Sequence, residues 1–211
     1  IGIPGGLITV LLCVSNIVLN NFIGIYGSDG AAAYGIAYKI DMVPIMLSVG
    51  LSQGVAPLIG YCYATGNTKR MARIMKTATF YGILLGAAFL ILLCFARTAL
   101  AAIFLSDPAL QAQAGSFILI LSLSAPMLGI INMVTSYFQA LGNAVKSLSI
   151  TLMRNALLFL PAVAFLNHFW GLNGVIAAQP AVETVLAAVC LAMYVADCRR
   201  LISWRQSAAQ S

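Results

Sequence analysis

Apolar runs of helix length, separated only by short polar turns, fill the chain from Leu7 to Ala196. About 20 apolar residues in a helix cross a hydrocarbon core of roughly 30 Å. Six segments reach that length, over about 7–26, 31–63, 73–96, 115–141, 147–166 and 172–196. Backbone amides in lipid find no water to bond, so each run is expected to be helical, because a helix satisfies them internally. The expected fold class is an all-α membrane protein in which residues 1–198 form one six-span lobe and 199–211 a cytoplasmic tail.

Composition closes off the alternatives. At 62% hydrophobic and 8% charged residues, with mean hydropathy near +1, the chain has too little polar surface to cover a soluble globule. Its net charge of +6 does not imply nucleic acid, since the basic residues sit between apolar runs and form no face with interleaved aromatics. The five cysteines, Cys13, Cys62, Cys94, Cys190 and Cys198, lie in or beside apolar runs without metal-ligand spacing and read as small hydrophobes. No metalloprotease, nucleophile-elbow or phosphate-loop signature is present, so neither an enzyme nor a cofactor is expected. The chain opens on Ile1 without a charged leader, and the expectation is a piece of a longer protein.

Charge sets the orientation. Lys69, Arg70, Arg73 and Lys76 follow the second run, Lys146 the fourth, and Arg199, Arg200 and Arg205 the sixth. Alternating spans put all of these on one side, which the positive-inside rule makes cytoplasmic. Both ends of the segment are then cytoplasmic in a plasma-membrane protein. Arg97, Asp29, Asp107 and His168 fall on the other side. Gly27 to Gly30 reads as a turn with Ser28 or Asp29 as cap, and Asn167 to Gly171 as a loop.

The stretch from Lys39 to Lys76 is the least like an ordinary core helix. Pro44, Gly50, Gly54 and Pro57 interrupt it, and such breakers are tolerated in a membrane where neighbouring helices or a cavity satisfy the freed backbone groups. Lys39, Asp41, Arg154 and Glu183 lie inside runs, where an ionisable group costs at least ~2.5 kcal/mol unless paired or hydrated. Arg154 and Glu183 fall at similar depth on consecutive runs, and an ion pair stapling two antiparallel helices is the expectation. Lys39 and Asp41 point roughly 200° apart on a helix. Lys39 is long enough to snorkel outward. Asp41 is not, so protonation, a partner on another helix and a hydrated cavity are its three alternatives.

Asn16 and Asn20, one turn apart, together with Asn21, Asn132 and Gln139, suit interhelical hydrogen bonds; Asn16, Asn20, Asn132 and Gln139 are also, with Asp41, Lys39 and Gln53, the candidates for a substrate or ion pathway. Gln53, placed among the breakers, is a cavity-lining candidate. Met42 and Met46 share a face that suits either a deformable wall or plain packing.

The succession Gly50-Leu51-Ser52-Gln53-Gly54-Val55-Ala56-Pro57-Leu58-Ile59-Gly60-Tyr61, followed by Ala64-Thr65-Gly66-Asn67-Thr68-Lys69-Arg70, resembles the second half of the multidrug and toxic compound extrusion family. Ala31 to Ile36, Phe138 to Gly142, and Arg154 with Pro161 extend the likeness over the whole chain. The resemblance implies a lobe equivalent to spans seven to twelve of a twelve-helix transporter, whose partner is the N-terminal six-helix lobe. It also implies a secondary antiporter that exports cationic or amphipathic small molecules in exchange for sodium ions or protons. Several members place a coupling acid in the spans that correspond to the first and fourth here, where this chain carries only amides and hydroxyls. Residues 62–65 read Cys-Tyr-Ala-Thr where Asn-Tyr-Gly-Ala is common. Coupling is thereby left open between this lobe and the other. A lipid-linked oligosaccharide flippase and a non-transporting membrane scaffold are the alternatives to antiport.

Overall fold

The computed structural model describes residues 2–208, with side chains described over 13–199. The side chains of Arg200 and Arg205, used above for orientation, lie outside the described ones. Helices α1 (Gly2–Gly24), α2 (Gly27–Ala64) and α3 (Thr68–Phe104) are followed by α4 (Pro108–Ser122), α5 (Ala125–Ala140) and α6 (Ala144–Leu152). A π-helical turn, Met153–Leu158, then leads into α7 (Phe159–Ala208). By length and composition, α2, α3, Pro108–Ala140 and Ala144–Arg199 are each able to cross a membrane, and the Cys13–Gly24 part of α1 is a shorter apolar helix.

Short turns join these elements, and their caps explain the boundaries. Asn67 accepts the Arg70 amide at 3.1 Å, Asp107 accepts that of Ala109 at 2.9 Å, and Asn143 that of Lys146 at 3.3 Å. Each satisfies an orphan donor of the first helical turn. The first turn departs from expectation: α2 begins at Gly27, with Tyr26 at the cap position and no side-chain cap bond, while Ser28 bonds Asp29 instead. Gly27 takes φ 92°, a backbone open to glycine, so the chain turns before Ser28 and not after it.

Two further departures are informative. The stretch around Pro126, expected to be one helix, breaks between α4 and α5 at Leu123-Ser124. Residues 167–170, expected to be a loop, are helical, and the chain doubles back at a single residue, Gly171, with φ 54° and ψ −136°. Gly174 completes this corner, because a Cβ there would lie 2.1 Å from the Leu166 carbonyl oxygen. Tyr26 closes over it, donating to Asn167 Oδ1 at 2.7 Å.

The buried side chains form two apolar clusters. One gathers Leu19, Ile23, Tyr34, Leu93, Phe117 and Val175. The other gathers Ile59, Met75, Met133, Tyr137, Ile150 and Leu186. Between the two clusters many of the buried residues are polar or small, Val182 on α7 and Leu128 on α5 being buried exceptions. Asp41, Ser48 and Ser52 occupy that level on α2, Ser122 and Ser124 the α4–α5 break, Asn155 the π turn and Glu183 α7, all buried. On α3 the level is marked by Gly82 and Gly86. A methyl at Gly86 would stand 2.4 Å from the Ala125 carbonyl oxygen, and one at Gly129 would stand 2.6 Å from the Gly82 carbonyl carbon.

Backbone contact this close leaves no room for a side chain. Gly86→Ala and Gly129→Ala are each expected to destabilise the protein by about 1–3 kcal/mol, the usual cost of overpacking. Gly35→Ala, with nothing within 4 Å of the added carbon, is expected to be nearly neutral. Thermal midpoints of the complete protein in detergent check both.

Candidate functional site

The polar level between the two clusters opens on one side into a cavity of about 300 Å³. Asn16, Arg154, Asn155 and Gln179 give its wall polar groups, and Met42, Met46 and Phe159 make it apolar. The wall is therefore mixed and deformable, since methionine side chains repack at little cost.

Local irregularities aim these groups. Pro161 lacks the amide that would close on the Leu157 carbonyl, and its ring crowds that carbonyl. The widened turn lies just before it, with the Phe159 amide reaching back to the Arg154 carbonyl. Ser15 on α1 donates to the Asn155 carbonyl at 3.0 Å, and the Asn155 amide donates to the Thr151 carbonyl at 3.0 Å. Two carbonyls of this irregular segment, those of Thr151 and Asn155, thus accept from side chains, and Arg154 lies on the cavity wall.

Arg154 Nη2 donates to Glu183 Oε1 at 2.5 Å. The pair is asymmetric: the arginine side chain is 31% exposed and that of the glutamate 2%. One turn earlier on α7, Gln179 Nε2 donates to Asp41 Oδ2 at 3.3 Å. Asp41 is itself 1% exposed and lies within Coulombic reach of both Glu183 and Arg154. Of the three alternatives left by the sequence, the structure gives Asp41 a partner on another helix, Gln179, which itself lines the cavity. The second oxygens, Asp41 Oδ1 and Glu183 Oε2, have no donor.

The remaining candidates are dispersed. Lys39 is exposed, as are Gln53, Asn20 and Asn21. Asn132 donates to Ser48 Oγ at 3.0 Å, and Ser136 donates to the Ser52 carbonyl at 2.9 Å, which together join α5 to α2 at the level of the breakers. Gln139 donates to Ser147 Oγ at 3.2 Å, linking α5 to α6. Pro44 and Pro57 lie within α2 without ending it, while Gly50 and Gly54 have open space around them.

Sequence reasoning missed Gln179, Ser124 and Asp197. Gln179 carried a readable signal, four residues before Glu183 and hence on its face. Asp197 pairs with Lys146 and accepts from Tyr137 at 3.1 Å. The start of α6 and the far part of α7 therefore share one end of the molecule. Nothing in the sequence distinguishes Ser124 from other serines in apolar runs.

The MatE family model matches residues 4–165. This chain belongs to the MatE family. Among its relatives, the multidrug export protein MepA of Staphylococcus haemolyticus is 32% identical over 196 residues, covering 92% of this chain and 42% of that protein. MepA of Staphylococcus aureus is 30% identical over 180 residues, covering 83% and 39%. The MatE chain therefore spans about two-fifths of the relatives it matches.

Solved structures agree on the fold. An outward-facing multidrug resistance MATE family transporter of the MOP superfamily superposes with a TM-score of 0.88 at 20% identity, covering 96% of this chain and 46% of that one. The Vibrio cholerae transporter VcmN in its bent form gives 0.87 at 18%, covering 94% and 45%.

The buried pair can be tested by the order in which charges are removed. Arg154→Met leaves Glu183 without its counter-charge and is expected to cost about 3 kcal/mol or more. Adding Glu183→Gln should recover most of that loss, whereas additive losses in the double-mutant cycle would mean the two side chains are not coupled. Thermal stability and yield in detergent are the readouts.

Proposed function

We propose that this MatE chain is one six-span lobe of a secondary antiporter that exports cationic or amphipathic small molecules in exchange for protons or sodium ions. The observation that carries the reading is the cavity at mid-depth, with methionine and phenylalanine on its wall and a buried acid pair behind it. Apolar area binds the body of an amphipathic molecule, and buried carboxylates favour a positive charge. The relatives' description as multidrug export proteins supports the same reading.

In this proposal the chain crosses the membrane at α1, α2, α3, α4–α5, the stretch 144–170 and the stretch 172–199. Its open cavity side faces a second lobe, supplied by the part of the relatives' length that this chain does not span. Among the described residues Arg154 is the only cation on the cavity wall and it is held by Glu183, so this wall offers little to a pyrophosphate. That favours cationic cargo over a lipid-linked oligosaccharide.

Expression of the complete transporter should lower ethidium accumulation in a strain lacking other efflux pumps, and collapse of the ion gradients should restore it. Met46→Trp, which places an indole in the cavity, is expected to slow export about tenfold, equivalent to about 1.4 kcal/mol, at unchanged expression. Unaltered accumulation in the parent strain would support a scaffold and not a pump.

The proposed orientation has its own check. In a background without native cysteines, Lys69→Cys should react with an impermeant maleimide only from the cytoplasm, and Asp29→Cys only from outside. The reverse pattern would invert the topology.

A further inference from the structure

Away from the cavity, a second concavity of about 390 Å³ lies between α2 and α3. Leu51 and Val55 on α2 and Ile74 on α3, all half-buried, line it together with the buried Ala78. Arg73 is the charged residue of this lining, and Thr77 and Tyr81 add hydroxyl groups. Arg73, Thr77 and Tyr81 are exposed, and their spacing of four puts them on one stripe of α3. From Arg73 to Tyr81 the stripe runs ~12 Å at the usual helical rise. One leaflet of a bilayer holds about 15 Å of hydrocarbon, half of its roughly 30 Å core, so the groove is nearly as long as a leaflet is thick.

Arg73 stands at the end of the groove nearer the α2–α3 turn, and helical side chains lean toward the N-terminus, which brings its guanidinium toward that end. Helix α3 has 37 residues, ~55 Å, and charge is costly in hydrocarbon, so its basic first turns belong at the membrane surface. Tyr61 and Tyr63, exposed at the end of α2, mark the same level, since tyrosine is enriched at the interface. Lys69 and Arg70 precede Arg73 by about one turn and are exposed as well. The five acids of the chain leave this end uncompensated. Asp197 and Glu183 are taken by Lys146 and Arg154, and Asp41 is buried at mid-depth. Asp29 lies in the first turn of α2 and Asp107 caps α4, both at the opposite end of the α2–α3 hairpin.

We propose that this groove binds one anionic phospholipid from the leaflet on the side of the α2–α3 turn, with its phosphate at Arg73 and an acyl chain along Leu51, Val55, Ile74 and Ala78. A guanidinium matches the geometry of a phosphate with two parallel hydrogen bonds. The uncompensated charge of Lys69 and Arg70 then favours a headgroup of net negative charge over a zwitterionic one. Thr77 lies ~6 Å further along the stripe, at the level where the ester oxygens follow the phosphate. A chain seated in a concavity touches protein on several sides and gains dispersion contacts that a flat helix face does not offer. A soluble anion gains the arginine but nothing from the apolar walls. A helix of another protein segment, roughly 10 Å across with its side chains, is too wide to enter. The site is independent of the antiport reading, because it faces away from the cavity and involves none of its residues.

The test uses the complete protein, stripped of lipid in detergent, with phosphatidylglycerol as the probe and phosphatidylcholine of the same chains beside it. Native mass spectra should show a single phosphatidylglycerol held about tenfold more tightly than phosphatidylcholine, the scale of one or two basic contacts at a membrane surface. Arg73→Gln should abolish that preference. Lys76→Gln removes the same charge from an exposed position outside the groove lining and should keep most of it. Thr77→Trp, which fills the groove from its exposed side, should weaken both lipids at an unchanged thermal midpoint without lipid. Phosphatidylglycerol carrying a diazirine midway along one chain should label the unmodified protein at residues 51–55 and 74–81, a readout that needs no variant to fold. Equal affinity for the two lipids, equal losses in Arg73→Gln and Lys76→Gln, or label confined to other helices would overturn the proposal. So would failure of Thr77→Cys, in a background without native cysteines, to react with maleimide in the stripped protein, because the groove would then be covered by another part of the transporter.

Discussion

A salt bridge inside a membrane protein is tolerable only if the surrounding chain completes it, and the Arg154–Glu183 pair organises this helical bundle on those terms. Its two residues lie 29 positions apart, so they meet only because the chain reverses at Gly171. The pair between Lys146 and Asp197 is centred on the same corner and holds the hairpin at its other end. Between the two fastenings the chain widens into a π turn, which carries Arg154 to the cavity edge while Ser15 takes up the Asn155 carbonyl. The hairpin, the turn and the cavity wall are therefore parts of one arrangement.

The same level of the molecule gathers its helix breakers. Pro44, Pro126, Pro161 and Pro180 stand close in sequence to Asp41, Ser124, Asn155 and Gln179. A proline removes one amide and loosens the turn before it, and in lipid that is acceptable only where other polar groups are at hand. Polar side chains and broken backbone thus support each other, and Asp41, Ser124, Asn155 and Gln179 with their prolines lie between the two apolar clusters. Helix α3 solves the problem differently. Gly82 and Gly86 let its backbone press on α5 at Gly129 and Ala125, so dispersion contact replaces hydrogen bonding there, as small residues commonly allow between membrane helices.

This layering has a mechanical consequence. The apolar clusters above and below resist rearrangement, while the level between them contains deformable methionines, a widened turn and two incompletely bonded acids. The fold itself is shared with an outward-facing and a bent transporter structure.

Periodicity and length in the sequence determine that the chain is helical and membrane-spanning, because lipid leaves the backbone one economical way to satisfy its amides. The turns at Asn67, Asp107 and Asn143 are legible for the same local reason, since a capping side chain acts within three residues of itself. The comparable depth of Arg154 and Glu183 also follows from counting residues along two runs. What only tertiary structure decides is direction. The sequence gives Asp41 three alternatives, and packing against α7 selects Gln179 as its partner. Lys39, equally deep by count, is turned outward by the same rotation of α2. The break at Ser124, the π turn at Arg154 and the single-residue corner at Gly171 depend on neighbours that supply or withdraw hydrogen bonds across the bundle. Such neighbours are remote in sequence, and their choice is a balance of packing and polar satisfaction that no local pattern records.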